Sequence, residues 1–327
     1  MKPRTTERML VSILNWNHTA DTLNCLEVLC REHTSALRLV VLDNGSLVDP
    51  VPEISARFPH VDALRVPHNL GFTGGHNLVM QMALDQGYEA VMLLNNDCQM
   101  SASELLALLH ALDADPKLGA ASAVIYRRQD PGIPMMVAGH IDWARHRSVR
   151  PNDPATQQPA DSPTLLVGTA LALRVTALRE IGLLDGRYFA YYEDNELSAR
   201  FHAAGWRVAY VTQAVCLHDH KPLPAYSPMA MYLLQRNAWL FWRQHTPARH
   251  RRGLKRHLLA QALFDLCTLR SSQARPELEY AFFAGLWDGV RGRSGPPPSR
   301  HSRPPWFAAL LRAVPFRAVR LLERIAP

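Results

Sequence analysis

The five cysteines, Cys25, Cys30, Cys98, Cys216 and Cys267, include no pair at the two-residue spacing of a zinc or redox motif, and their odd number leaves no complete disulfide framework. That argues against a stapled secreted domain and predicts a reducing compartment, the cytosol. No apolar run approaches the ~18 uninterrupted residues that a spanning helix needs, because the best candidates contain Gln235-Arg236-Asn237 or Asp265. The run Met9 to Leu14, behind Lys2, Arg4 and Arg8, is broken by Ser12 and closed by Asn15. It is too short for the apolar core of a signal peptide, so secretion is not expected. The missing Gly-x-Gly-x-x-Gly disfavours a nicotinamide-dependent oxidoreductase, and the missing nucleic-acid motifs remove nucleic acid as an expected partner.

What is present suits an ordinary globular protein of one large or two modest domains with a sizeable core: 327 residues, 47% hydrophobic and 20% charged. Acidic residues are scarce only at one end. Residues 1–220 hold 18 Lys+Arg against 24 Asp+Glu, whereas residues 221–327 hold 18 against 5. The basic final third points to a polyanion, with an anionic membrane surface preferred; the alternative is a solvated face that aids solubility.

Strand and helix signals alternate through the first half. Met9 to Leu14 and Leu37 to Leu42 read as strands around a helix from Thr19 to Cys30. A strand at Ala63 to Val66 leads through a glycine loop to a helix from about Asn77 to Gln86, then a strand at Ala90 to Leu94. A helix capped by Ser101 or Ser103 ends at Leu112 and precedes a strand at Ala120 to Tyr126. Residues 127–163 form a Pro- and Gly-rich excursion with a short hairpin near Gly139 to Trp143. Order resumes at Leu165 to Leu173, followed by helices at Val175 to Ile181 and Asn195 to Ala204 and a strand at Val208 to Val211. The rest is helical: Met229 to His245, Leu254 to Leu269 and Leu278 to Val290. A Pro/Arg-rich linker from Gly292 leads to a basic amphipathic helix at Trp306 to Ile325, which reads either as a membrane-surface helix or as one packed on protein. Domain boundaries follow as 1–227, 228–291 and 292–327.

Polar residues cluster just after the strands, where open α/β sheets bind ligands. Asp43, in Leu42-Asp43-Asn44-Gly45-Ser46, could accept hydrogen bonds from a nucleobase or ribose, or serve only as turn chemistry. Asn69 to Asn77 puts Gly71, Gly74 and Gly75 ahead of a helix, a way to bring backbone N–H groups to a diphosphate. Asn95-Asn96-Asp97 ends a strand, where Asp97 suits a divalent cation; His218 is placed to add a nitrogen ligand and shift preference toward Mn²⁺, with His220 an equal alternative. Glu193-Asp194 precedes a helix, so Asp194 is either a positioned general base or an N-cap, or both.

The ordered set Val11 to Asn17, Leu42 to Ser46, Asn69 to Asn77, Leu94 to Asp97, Gly168 to Leu171, Gly182 to Asp185 and Tyr192 to Asp194 resembles the family 2 glycosyltransferases, in particular the bacterial rhamnosyltransferase-like branch, as does Gln235-Arg236-Asn237. The resemblance implies a GT-A fold, a Rossmann-like mixed α/β sheet with flanking helices, here with a C-terminal helical extension. It implies inversion at the anomeric carbon of a dTDP- or UDP-linked sugar and a glycan or lipid-linked acceptor, in bacterial surface polysaccharide synthesis. By the same resemblance Asn15, Asp43, Gly71, Gly74, Asn77, Asn95 and Asn96 would bind the nucleotide sugar, Asp97 and His218 would hold Mg²⁺ or Mn²⁺, and Asp194, with Glu193 beside it, would be the base. Asn95 departs from the family by replacing the first acidic residue of an Asp-x-Asp motif. A catalytically weak sugar-nucleotide-binding or scaffold protein is the alternative. A cytoplasmic enzyme, peripheral at the inner face of the membrane, is the expected setting, and a second copy of the chain is a further candidate partner.

Overall fold

The segment Met-Leu-Val-Ser-Ile-Leu-Asn offers no polar face to solvent, which suits a strand covered on both sides. In the computed structural model, which describes residues 6–32, 34–132, 134–136, 138–149, 162–218, 227–271 and 276–298, it forms β1 (Met9–Asn15), buried along nearly its whole length. β1 pairs in parallel with β2 (Leu37–Asn44) on one side and β4 (Ala90–Asn95) on the other, and β3 (Asp62–Val66) pairs in parallel beyond β2. β9 (Ala170–Arg174) runs antiparallel between β4 and β5 (Leu118–Tyr126), and β10 (Arg207–Leu217) pairs in parallel with β5. The order is β3-β2-β1-β4-β9-β5-β10, with β6 (Pro134–Met136) off β5. A separate ribbon pairs β7 (His140–Asp142) with β8 (Arg147–Val149). The chain thus has the mixed, Rossmann-like sheet of the GT-A type.

Strand register carries the polar tips to one edge. Asn15 lies opposite Asp43, Leu14 opposite Asn95, and Asp43 opposite Arg65. Beneath them Leu10, Val40, Leu42, Val91 and Leu93 pack with Val79, Met80 and Ala83 of α3 (Gly71–Gln86) and with Leu197 and Phe201 of α6 (Glu193–Ala203). Further helices are α1 (Thr19–Leu29), α2 (Val51–Arg57), α4 (Ala102–Ala114) and α5 (Val175–Ile181).

Several sequence expectations shift. The helix expected near Asn77 starts at Gly71, so Gly74 and Gly75 lie inside it. Gly75 is small because a Cβ there would stand 2.4 Å from Leu14 Cδ1, so it serves the contact between helix and sheet. The helix expected at Asn195 starts at Glu193, which puts both carboxylates in its first turn. Ser101, not Ser103, caps α4, in a capping box with Glu104. Ordered strand in the 165–173 stretch begins only at Ala170, and α2 was not foreseen. The tail at 306–325 lies outside the described residues.

By contacts the chain divides into two units, one of Met1–Ile141, Ser148–Asp185 and Glu193–His220, the other of Asp142–Arg147, Gly186–Tyr192 and Lys221–Pro327. The second is built on α7 (Pro228–His245), α8 (Leu254–Ser271) and α9 (Pro276–Val290). No described helix is long and apolar enough to cross a membrane. Gly285 and Gly289 let α9 lie against the α7 backbone: a Cβ on Gly285 would stand 2.2 Å from the Tyr232 carbonyl oxygen, and one on Gly289 2.9 Å from that of Arg236. Backbone cannot retreat as a side-chain tip can, so Gly285→Ala should force the helices apart. We expect a loss of about 1–3 kcal/mol in urea unfolding; unchanged stability would show that the helices do not meet this closely.

Candidate active site

Three strand tips, of β4, β1 and β2, are joined through α1 by one largely buried polar relay. Asn96, just past β4, donates Nδ2 to Thr22 Oγ1 at 3.0 Å, and Thr22 donates to Asn15 Oδ1 at 2.8 Å. Asn15 in turn donates Nδ2 to Asp43 Oδ1 at 2.8 Å. Asp43 is fully enclosed; it also accepts from the Ser46 N–H at 3.2 Å and the Ser46 hydroxyl, and Arg65 Nε lies 3.4 Å from its Oδ2. Its oxygens are therefore engaged in shaping the loop, and a direct nucleoside contact would exchange one of these bonds. Ser46 closes the Leu42 to Ser46 segment, whereas Thr22 on α1 and Arg65 on β3 carry no motif of their own, and only the partners they meet reveal them.

The neighbouring loop is tied in the same way. Asn44 Nδ2 donates to Asn69 Oδ1 and to the Gly71 carbonyl, each at 3.0 Å, and Asn44 Oδ1 accepts from Leu70 N at 2.9 Å. Gly71 takes a left-handed φ of 76° as α3 begins. Asn77 faces elsewhere: its amide brackets Leu184, donating to the carbonyl at 2.8 Å and accepting from the N–H at 3.0 Å. His76, fully buried, shares a 2.8 Å hydrogen bond with Ser12, and burial pushes it down to about 3, which makes it a neutral core histidine.

Asp97 and His218 come together because Gln99 and Leu217 form an antiparallel bridge, with N–H to carbonyl bonds of 3.0 and 3.1 Å. His218 Nε2 then lies 3.3 Å from Asp97 Oδ1. With the Cys98 sulfur, their ligand atoms lie within 4.8 Å of one another. Oxygen and nitrogen donors this close fit a divalent cation. Asn95 contributes backbone, its N–H donating to Thr169 at 2.9 Å. His220 lies outside the described residues.

Glu193 and Asp194 occupy the first turn of α6. Asp194 Oδ1 accepts the Asn195 N–H at 2.7 Å, and the Asp194 carbonyl accepts from Ser198 Oγ at 2.6 Å. Ser198 accepts in turn from Leu166 N at 2.8 Å, which fastens the turn to the strand side. Glu193 is buried, and its Oε2 has no hydrogen-bond partner among the described residues. Burial, then the charge of Asp194, pushes its carboxyl up to about 8. At neutral pH Glu193 therefore keeps its proton. Gly168 leaves room beside it: a Cβ there would meet Phe72 Cζ at 3.1 Å and Glu193 Oε1 at 3.9 Å. A separate concavity bounded by Glu7, Cys30 and His60 lies at the amino ends of β1 and β2, away from these groups.

A mixed sheet of this order is the fold of the GT-A glycosyltransferases. S. aureus TarS 1-349 superposes with a TM-score of 0.55 at 14% identity, over 97% of this chain and 86% of that one. GalNAc-T7, solved with UDP, GalNAc and Mn²⁺, gives 0.55 at 14% identity over 73% and 48%. Residues 7–241 match the family described as Glycosyltransferase like family 2, and the chain belongs to that family. Among curated proteins it is 30% identical over 208 residues to the N-acetylglucosaminyl-diphospho-decaprenol L-rhamnosyltransferase of Mycobacterium tuberculosis, covering 56% of this chain and 66% of that relative's length. It is 27% identical over 216 residues to the galactofuranosyltransferase GlfT1 of the same species, covering 65% and 70%.

The raised Glu193 carboxyl has a consequence for stability. The unfolded chain releases this proton near 4.5 while the folded protein holds it to about 8, so the native state binds more protons between those limits. Its contribution is complete below pH 4.5 and is lost as pH rises through 8. We expect unfolding free energy to fall by up to about 1.4 kcal/mol per pH unit across that window, and Glu193→Gln to flatten the slope. Denaturant titrations from pH 5 to pH 8 decide; equal slopes in both proteins would exclude a protonated Glu193.

Proposed function

We propose that the protein is an inverting glycosyltransferase that moves a sugar from a nucleoside diphosphate to a hydroxyl of a glycan or lipid-linked acceptor in bacterial surface polysaccharide synthesis. The observation that carries this reading is one sheet edge that bears both the Asp97–His218 pair and the Glu193–Asp194 turn, in a chain of this family. Rhamnose on a lipid-linked diphospho-sugar is the favoured pairing, because the mycobacterial relative carries that activity in its name. We take residues 1–227 as the catalytic domain and 228–291 as a helical extension.

Asp194 takes the proton of the acceptor hydroxyl as its oxygen attacks the anomeric carbon. Attack comes from the face opposite the departing diphosphate, so the new C–O bond forms as the old one breaks and the configuration inverts. The Asn195 N–H and the amino end of α6 favour the ionised Asp194 and orient it. Protonated Glu193 donates a hydrogen bond to the acceptor or to Asp194. The relay through Asn15, Asp43 and Asn96 shapes the nucleoside side, and the amino end of α3, Gly71 to Gly74, would receive the diphosphate, with the Gly71 N–H exchanging its 2.7 Å bond to Asn69 Oδ1 for it. Asp97 and His218 would hold the divalent cation, Mn²⁺ or Mg²⁺, which would supply positive charge to the leaving group.

The second reading, a sugar-nucleotide-binding protein with little turnover, is favoured by Asn95 at the position of the first acidic residue. Transfer and donor hydrolysis, measured over a panel of nucleotide sugars with and without Mn²⁺, separate the two, since a binding module would show neither. In the active enzyme Asp194→Asn should lower kcat by about 10²–10⁴ while nucleoside diphosphate binding and folding persist. Near-normal turnover in that variant would remove Asp194 as the base.

The excess of 18 basic over 5 acidic residues in 221–327 supports docking on an anionic membrane surface. Flotation with phosphatidylglycerol vesicles should fall sharply on deleting residues 296–327; undiminished flotation would exclude the tail as the anchor.

A further inference from the structure

Immediately before Glu193 the backbone adopts a conformation that side chains other than glycine avoid. Phe189, Tyr191 and Tyr192 have φ of 66°, 69° and 71°. Three such residues in four do not hold themselves; a turn like this persists where its surroundings over-determine it. One side chain reaches three carbonyls of this turn. Asn237, fully buried in α7, points Nδ2 at the carbonyl oxygens of Tyr188, Ala190 and Tyr191 at 2.9, 2.8 and 2.7 Å.

Its orientation is fixed from behind, since Arg236 Nε donates to Asn237 Oδ1 at 2.9 Å. Arg236, also fully buried, adds bonds from Nη2 to the Tyr188 carbonyl at 2.9 Å and to that of Arg187 at 3.3 Å, and from Nη1 to Gly295. Two buried polar side chains carry a desolvation penalty that an apolar pair would avoid. Both are directed at one turn, and the residues that follow it in the chain are Glu193 and Asp194.

We propose that Asn237, with Arg236 behind it, is a positioning residue for the catalytic carboxylates: it locks the 188–192 turn and so fixes the backbone from which Glu193 and Asp194 emerge. This rests on the reading of Asp194 as the base. Neither residue touches substrate; the amide acts through the turn.

The test uses the full chain and Asn237→Ala, with Asn237→Ser as the substitute should the alanine variant not fold. Amide hydrogen exchange over 189–196 should quicken at least about tenfold, with β1 and β4 unchanged. kcat should fall roughly 100-fold while the donor KM stays within about threefold. Adding Tyr191→Gly, which accepts φ near 69° without strain, should recover part of the lost kcat. Unchanged exchange over 189–196 overturns the proposal, as does a loss confined to thermal stability with kcat intact, or a loss that appears in KM. Absence of transfer by the wild-type protein with every donor tried would instead remove the glycosyltransferase reading, and hydrogen exchange alone would then decide whether Asn237 holds the turn.

Discussion

Every polar group at the buried end of the sheet must find a partner while the edge stays open to a ligand, and the relay Asn96–Thr22–Asn15–Asp43 meets that constraint. Each member passes a hydrogen bond onward, which only side chains with both a donor and an acceptor can do, until Asp43 terminates the chain with acceptors alone. Removing a buried link leaves the next polar group without its partner, which costs its desolvation. The strand tips are therefore rich in Asn, Asp, Ser and Thr for a reason that precedes catalysis: they fix the loop geometry on which any ligand contact depends.

The two carboxylates of α6 show how local position sets charge. The amino end of a helix favours negative charge on both, yet their environments differ. Asp194 accepts an N–H at 2.7 Å, whereas Glu193 is enclosed with an oxygen that finds no partner among the described residues. Burial outweighs the helix for Glu193 and leaves a neutral acid beside a residue suited to act as base, which is how paired carboxylates take separate roles. Further along the same helix, buried Glu196 holds Arg200, whose guanidinium binds the carbonyls of Ile181 and Leu183 at 2.7 and 2.8 Å. The turn that carries the pair is thereby anchored to the segment that Asn77 brackets.

The alternation of strand and helix was legible because β1, β2 and β4 are buried along nearly their whole length and read as apolar runs. α2 escaped because, in seven residues, it buries only Ile54, too little to impose a helical period. α3 was read as starting late because glycines lower helix propensity, and the need that put Gly75 there, contact with Leu14, is a tertiary one. The candidate residues Asp43, Asp97 and Asp194 could be found from their positions after strands or before a helix. What a sequence does not display is their state: that Asp43 is enclosed, that Glu193 keeps its proton, and that Asn77 serves Leu184 are all products of packing. Arg236 and Asn237 read as interruptions of an apolar stripe, and only the turn they face explains them.

The Asp97–His218 pair depends on an irregularity in β10. Val211 lies opposite Ala123 and Val215 opposite Val124, so Thr212, Gln213 and Ala214 have no counterparts on β5. Side chains alternate faces along a strand, so inserting an odd number of residues reverses which face each later residue presents. The sequence predicts a strand only over Val208 to Val211, yet past the exposed Thr212 and Gln213 the chain re-enters the sheet and runs to Leu217. That second half bridges Gln99 and delivers His218 to Asp97. A chain with Asn95 where a second acid is usual has one carboxylate at this tip. On the proposed metal-binding reading, the nitrogen of His218 brought in by the bulge would add a second ligand of a different kind, and the register of β10 would then be as much a part of the site as the residues it carries.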